Sequence, residues 1–207
     1  AAITSSDTRH FQDRYCNAFH LPAFHPFAQV DLTGREEDFA FYHGNLSIGE
    51  NDQAALYLVE KVFASLPFRL IVAGGGPSAR LRSAVASHPN ITLLDKLSPD
   101  EIFRHIAAAK VNVLPTFQST GIKLKLLAAL YRGRHCLVNP PMVAETGLES
   151  LCQVAVDAAG FQEKLVEVFA GKRFSDDEIE KRRSVLEKDF SNSENASLLI
   201  SRIFRND

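Results

Sequence analysis

The chain has 207 residues, with 23 Lys and Arg against 25 Asp and Glu, a formal net charge of -2, and 45% apolar and 23% charged residues. This is the profile of an ordinary soluble globular protein, and near-neutral charge excludes a surface built throughout for nucleic acid. The apolar runs fall far short of the ~20 residues that a membrane-spanning helix needs, and Asp7, Arg9, His10, Asp13 and Arg14 sit where a signal peptide would be apolar. The three cysteines, Cys16, Cys136 and Cys152, form no C-x-x-C pair and predict reduced, mostly buried thiols in a cytoplasmic protein.

In chain order, residues 1–22 predict a short helix with Phe11, Tyr15 and Phe19 on one face, followed by a loop containing Pro22 and Pro26. Phe39-Ala40-Phe41-Tyr42-His43 predicts a strand ended by Gly44. Residues 52–65 predict a helix, because Ala55, Leu58, Val59, Val62 and Phe63 recur at i, i+3, i+4, i+7 and i+8. A second strand over 68–73 closes at Gly74-Gly75-Gly76-Pro77, a helix over 78–87 follows, and 91–94 is the third strand. Ser98-Pro99-Asp100-Glu101 is an N-cap with proline at the first helical position and glutamate three residues after the cap. That helix runs to about residue 109. Strand 111–114, helix 122–131 stopped by Gly133, strands 136–138 and 153–156, and helix 161–170 complete the pattern.

Six strands separated by helices specify right-handed βαβ units, hence an α/β, doubly wound parallel sheet with extra terminal helices. The expected division is 1–35 as an interdomain linker region, 36–172 as a Rossmann-like domain, and 173–207 as two helices opened by Ser175 and Ser193 that pack back on it.

In such a sheet, ligands meet the loops that leave the strands' carboxyl ends. Gly74, Gly75 and Gly76 let backbone approach a ligand, although an ordinary tight strand-to-helix turn accounts for them equally well. Between Glu101 and Glu145 no acid occurs, yet Arg104, Lys110, Lys123, Lys125, Arg132 and Arg134 do. Within that segment Gln118, Ser119, Thr120, Gly121, Ile122 and Lys123 open a helix that continues to Lys125. Free amides, hydroxyls and a lysine in a first turn make an anion cradle suited to a diphosphate. Lys123 stands where the helix dipole disfavours a cation, and a bound anion would explain it. There is no G-x-x-x-x-G-K-[ST], no G-x-G-x-x-G after the first strand, no H-E-x-x-H and no G-x-S-x-G. A P-loop reading is thereby excluded, the missing fingerprint counts against a nicotinamide dinucleotide fold, neither zincin nor hydrolase-elbow spacing is present, and no metal site is expected. A phospho-receiver needs several strand-end acids and only Asp95 is offered.

Together the motifs resemble the C-terminal, donor-binding half of a GT-B glycosyltransferase of the retaining group 1 (family 4) type. The resemblance runs through Gly44-Asn45-Leu46-Ser47, Ala73 to Pro77, and Leu97 to Ile102. It is strongest over VLPTFQSTGIKLKLLAALYRGRHCLVN, from Val113 to Asn139. Leu21 to Phe27 resembles the linker between the two GT-B halves. The resemblance implies a hexosyl transfer from a nucleoside diphosphate sugar to a glycan or lipid-linked acceptor, as in polysaccharide biosynthesis. The resemblance also implies that an acceptor-binding N-terminal half lies outside this chain and that no cofactor is needed beyond the nucleotide sugar. It further implies a cytoplasmic protein, peripheral at the inner membrane through the missing half, and a fragment inactive by itself. Its implied site places Gly121 and Lys123 on the diphosphate, Gly44, Asn45 and Ser47 beside the phosphates, and Gly74 to Pro77 with Lys96 around the nucleoside. Aligned back from Gly133, the family's paired glutamates fall on Thr120 and Ala128, and its usual basic pair on Asn45 and Glu50 or Asn51. The alternative is a non-catalytic α/β interaction module descended from such a transferase.

If the cradle holds a diphosphate, Lys123→Ala lowers nucleoside diphosphate affinity by ~1.5–3 kcal/mol without disturbing the fold. Titration calorimetry reads it, and an unchanged dissociation constant removes Lys123 from the site.

Overall fold

The run Phe39-Ala40-Phe41-Tyr42-His43 lacks polar alternation, as a parallel strand covered on both faces should. In the computed structural model, which describes residues 1–15, 17–118, 124–171 and 173–204, these five side chains are all buried in strand β1 (Glu37–His43). β2 (Leu70–Ala73), β3 (Ile91–Leu94), β4 (Ala109–Leu114), β5 (His135–Val138) and β6 (Gln153–Val154) complete a sheet ordered β3-β2-β1-β4-β5-β6. Every pairing is parallel, with Phe41 opposite Ile71 on one side and Asn112 on the other. This is the doubly wound arrangement expected.

Helices α1 (Ser5–Gln12), α2 (Gly49–Tyr57), α3 (Ala79–Ala86) and α4 (Pro99–Ala108) come first. Then follow α5 (Leu124–Arg132), α6 (Pro140–Val143), α7 (Ala158–Phe169), α8 (Asp176–Asp189) and α9 (Asn192–Ile203). Their starts are chemically marked. Ser98 and Ser175 each form a reciprocal capping box, with Glu101 and Glu178, and Asp157 caps α7 through the Gly160 amide. Buried Asp52 of α2 accepts from Ser78 N at 3.0 Å and Ser78 Oγ at 2.7 Å, so the cap of α3 is itself anchored on α2.

Several boundaries differ from expectation for local reasons. The helix expected over 52–65 starts at Gly49 and continues beyond Tyr57 as a π-helical turn, Leu58–Phe63, with Leu58, Val59, Val62 and Phe63 fully buried. α7 begins at Ala158, not 161, because Asp157 supplies the cap. β6 is only two residues long, although Ala155 N still donates to Val138 O. The N-terminal helix is shorter than 1–22; Thr4 caps it, and His20 returns to bridge Ala2. Asn139-Pro140-Pro141 starts the one-turn α6, since proline suits a first helical position.

The flanks pack on the domain. Phe27 stacks on Tyr131 of α5 at 5.3 Å, and Asp31 N donates to Tyr131 O at 2.9 Å while its carboxylate pairs with Arg132 at 3.0 Å. Phe190 O, just past α8, accepts from His25 Nε2 at 2.8 Å, and Arg182 of α8 donates to the Gly133 and Arg134 carbonyls. The segment 21–31 thus runs between α5 and the end of α8.

Gly133 sits where α5 must turn closely past β4. A methyl there would lie 2.3 Å from Asn112 Nδ2, which donates to Ile106 O at 3.1 Å, and 2.9 Å from Ala129 O. Gly133→Ala should therefore cost about 2 kcal/mol of stability by overpacking. Urea denaturation reads it, and a midpoint equal to wild type would show that the turn has room to relax.

Candidate functional site

Strand order reverses between β1 and β4. The chain leaves β1 toward β2 and leaves β4 toward β5, so the loops from two adjacent strands diverge and open a crevice at the carboxyl edge. Around it stand His43, the 44–48 loop, the start of α2, Thr116 to Gln118, and the start of α5.

Polar contacts stitch this edge together. Asn45 Oδ1 accepts from Ser47 N at 3.1 Å and Ser47 Oγ at 2.7 Å, which folds the β1 loop over itself. Asn51 Nδ2 donates to Asn45 O at 3.0 Å, and Asn51 Oδ1 accepts from Lys125 Nζ at 2.7 Å. The Lys125 ammonium also lies 5.2 Å from the centre of the Tyr42 ring, whose hydroxyl donates to Asn51 O. Burial pushes that hydroxyl's pKa far up, so it remains a donor. Glu50 accepts from Thr116 Oγ1 and, at 3.1 Å, from Phe117 N. One of the amides available to an anion after β4 is thus held by an internal carboxylate. Asn139 exchanges two hydrogen bonds with the Thr116 backbone, tying the β4 loop to the end of β5.

Among the expected site residues, Gly44, Asn45, Ser47, Gly74, Gly75 and Gly76 form two abutting loops. A Cβ on Gly74, at φ +157°, would lie 1.8 Å from Gly44 O, and one on Gly76, at φ +73°, would lie 2.9 Å from Ser47 Cβ. Loop-on-loop packing therefore requires both glycines, which is the tight-turn reading; Gly75 is not so constrained. Lys96 is exposed at φ +60° behind β3, the outermost strand, away from the crevice. Beside it Asp95 pairs with Arg82 at 2.8 Å, a hydrogen bond that holds its carboxyl below the usual range. Gln118 is exposed after β4, and Lys125 is half-buried on α5. Ser119, Thr120, Gly121, Ile122 and Lys123 lie outside the described residues.

The described cations of the acid-free segment do not all gather at one pocket. Arg104 approaches Glu101 at 4.0 Å, Lys110 pairs with Asp38 at 2.7 Å, Arg132 with Asp31, and Arg134 with Glu36 at 3.4 Å. Lys110 and Arg134 sit at the starts of β4 and β5, on the amino edge. Of the cations described in this segment, only Lys125 stands at the crevice.

Beside the crevice is an apolar cavity of about 360 Å³, walled by His43, Phe27, Ile102, Phe103, Leu124, Lys125 and Ala128. His43 is 9% exposed, stacks on Phe41, and its Nε2 has no hydrogen-bond partner. Burial, aided by Lys125, holds its pKa down to about 3, so the imidazole is neutral. Sequence reasoning passed over His43 as a site group and named Glu50 and Asn51 only as departures from the family's basic pair. The available signal was a histidine ending an otherwise apolar strand directly before Gly44. Among the described residues no three His, Cys, Asp or Glu side chains gather as a metal requires, and no helix is long and apolar enough to cross a membrane.

No family model and no curated protein matches the chain. Solved structures do. WaaG, a glycosyltransferase involved in lipopolysaccharide biosynthesis, superposes with a TM-score of 0.68 at 15% identity over 99% of this chain and 62% of its own. AviGT4, a glycosyltransferase involved in avilamycin A biosynthesis, gives 0.65 at 13% identity over 91% and 57%. A glycosyltransferase from Rickettsia africae gives 0.65 at 9% identity over 98% and 53%. The chain thus spans roughly half the length of these proteins and has the fold of a GT-B glycosyltransferase fragment.

The buried imidazole predicts an acid sensitivity. Its folded pKa lies below the ordinary 6.5, so its contribution is complete above pH 6.5 and is lost as pH falls toward 3. Between pH 7 and pH 4.5 the wild type should lose about 2–3 kcal/mol more stability than His43→Phe, by denaturant titration at each pH. Parallel losses would show that His43 protonates freely when folded.

Proposed function

We propose that this chain is the donor-binding half of a retaining glycosyltransferase, using a nucleoside diphosphate sugar as donor. The observation that carries the reading is the cavity at the switch point, with Lys125 in its wall, in a fold shared with glycosyltransferases about twice as long. A nucleoside occupies the apolar cavity against Phe27, Ile102 and Phe103, and its diphosphate extends toward the start of α5. Lys125, which now hydrogen-bonds a neutral amide, and Lys123 by its place in the sequence offset the charge that develops on the leaving diphosphate. Glycosidic chemistry and the glycan or lipid-linked acceptor belong to a second half, so this chain alone binds the donor without turning it over. The whole protein works in polysaccharide biosynthesis at the cytoplasmic side of a membrane.

Ala128 favours a second reading. It presents a methyl in the cavity wall where the family places a ribose-binding carboxylate, and Glu50 adds a negative charge to the crevice. An interaction module that has lost its nucleotide fits those two facts.

Calorimetric titration with UDP, GDP and ADP decides between them. The donor-binding reading expects at least one to bind below millimolar concentration, with Lys125→Ala weakening it about tenfold and leaving the circular dichroism spectrum unchanged. Absence of heat with all three nucleotides at millimolar concentration favours the module.

A further inference from the structure

On the other side of the sheet from β3, β5 and β6 run in parallel with Leu137 opposite Gln153, so Cys136 stands opposite Cys152 one step earlier. The two cysteines both line a cavity of about 190 Å³. Cys136 is buried and Cys152 is only half-buried, so a small solute can reach sulfur from that cavity. Adjacent strands lie about 4.8 Å apart, within the Cα separation of roughly 4.4–6.8 Å that a disulfide spans.

The same cavity is lined by Arg182 of α8, which is 1% exposed. Its terminal nitrogens donate to the Gly133 and Arg134 carbonyls and its plane lies 4.4 Å over Phe174, but its Nε has no partner. Among the described residues no carboxylate lies within ion-pair distance of this guanidinium. A buried positive charge without an ion-pair partner is costly, and the groups that face Arg182 are the two thiols and, beyond ion-pair distance, Glu178. The Cys136 thiol and burial push the pKa of Cys152 far up, and the Arg182 guanidinium opposes them, toward the thiolate that is the nucleophilic form.

We propose that Cys136 and Cys152, beside Arg182, are an oxidisable dithiol that closes to a disulfide when it meets a peroxide. One sulfur attacks a peroxide oxygen, the O–O bond breaks, and the departing hydroxide takes a proton to leave as water. The resulting sulfenic acid is attacked by the second sulfur; the S–S bond forms, the S–O bond breaks, and a second water carries off the remaining thiol proton. Two thiols and one peroxide give one disulfide and two waters, the two electrons coming from sulfur. The bond ties β6 to β5, and a thiol reductant restores both sulfurs by exchange. The site lies at the amino end of β5, away from the crevice, and does not depend on what the crevice binds.

The test uses the whole chain with Cys16→Ser, so that only this pair remains. The reduced protein is treated with one equivalent of hydrogen peroxide, alkylated, digested and mapped by mass spectrometry. The proposal expects the peptides carrying Cys136 and Cys152 to be joined, two hydrogens lighter than their sum, and to separate on reduction. Arg182→Gln should slow closure about tenfold and Arg182→Lys should recover most of the rate. If the Gln variant does not fold, the map of the chain that keeps Arg182 decides. The proposal is overturned if both cysteines remain alkylatable after peroxide, or if Cys152 proceeds to sulfinic acid while Cys136 stays reduced.

Discussion

The arrangement depends on one topological constraint: β1 and β4 are neighbours, but the chain leaves them in opposite directions. Right-handed crossovers then place α2 and α3 on one side of the sheet and α4 and α5 on the other. No connection can cover the carboxyl ends of those two strands. The gap is filled instead by side chains reaching across it, with Glu50 and Asn51 from α2 meeting Thr116, Phe117 and Lys125 on the far side. The same geometry leaves the end of β1 facing a cavity rather than a helix, which is why His43 is buried and yet has an unpaired nitrogen. Wherever the fold places an unfilled space beside polar groups of this kind, a ligand is the simplest occupant.

Charge behaves differently from what its distribution along the chain implies. An acid-free stretch of about forty residues invites the picture of a basic pocket, but a βαβ unit carries each such stretch from one edge of the sheet to the other and back. Lys110 and Arg134 therefore surface at the amino edge and pair there with Asp38 and Glu36, acids from the beginning of β1 and the turn before it. Arg132 finds Asp31 in the segment that leads into the domain. The acids missing from the middle of the sequence are supplied by its N-terminal flank, and the linker is held against α5 by the same contacts. Lys125 differs because it lies in the first turn of α5, where the helix begins at the carboxyl edge.

Much of the architecture was legible in the residues alone. The apolar runs over Phe39–His43, Leu70–Ala73 and Val111–Leu114 are strands covered on both faces, and the Ser98 and Ser175 capping boxes mark helix starts by local chemistry that needs no tertiary partner. The three glycines after β2 were visible too, but not their purpose. Gly74 and Gly76 answer to Gly44 and Ser47, some thirty residues away, and no local pattern records that contact. The short β6, the π-helical turn over Leu58–Phe63 and the placement of Arg182 beneath α5 were equally hidden, since each is set by what packs against it.

The amino-acid order by itself determined the class of fold, the number and direction of the strands, and most helix starts, because hydrophobic periodicity and capping act over a few residues. Only the folded chain decided which cations share an edge, which glycines are steric necessities, that His43 and Asn51 meet Lys125, and that Glu50 meets Thr116. Those outcomes depend on pairings between distant segments, whose free energy comes from burial and close approach and leaves no periodic trace along the chain.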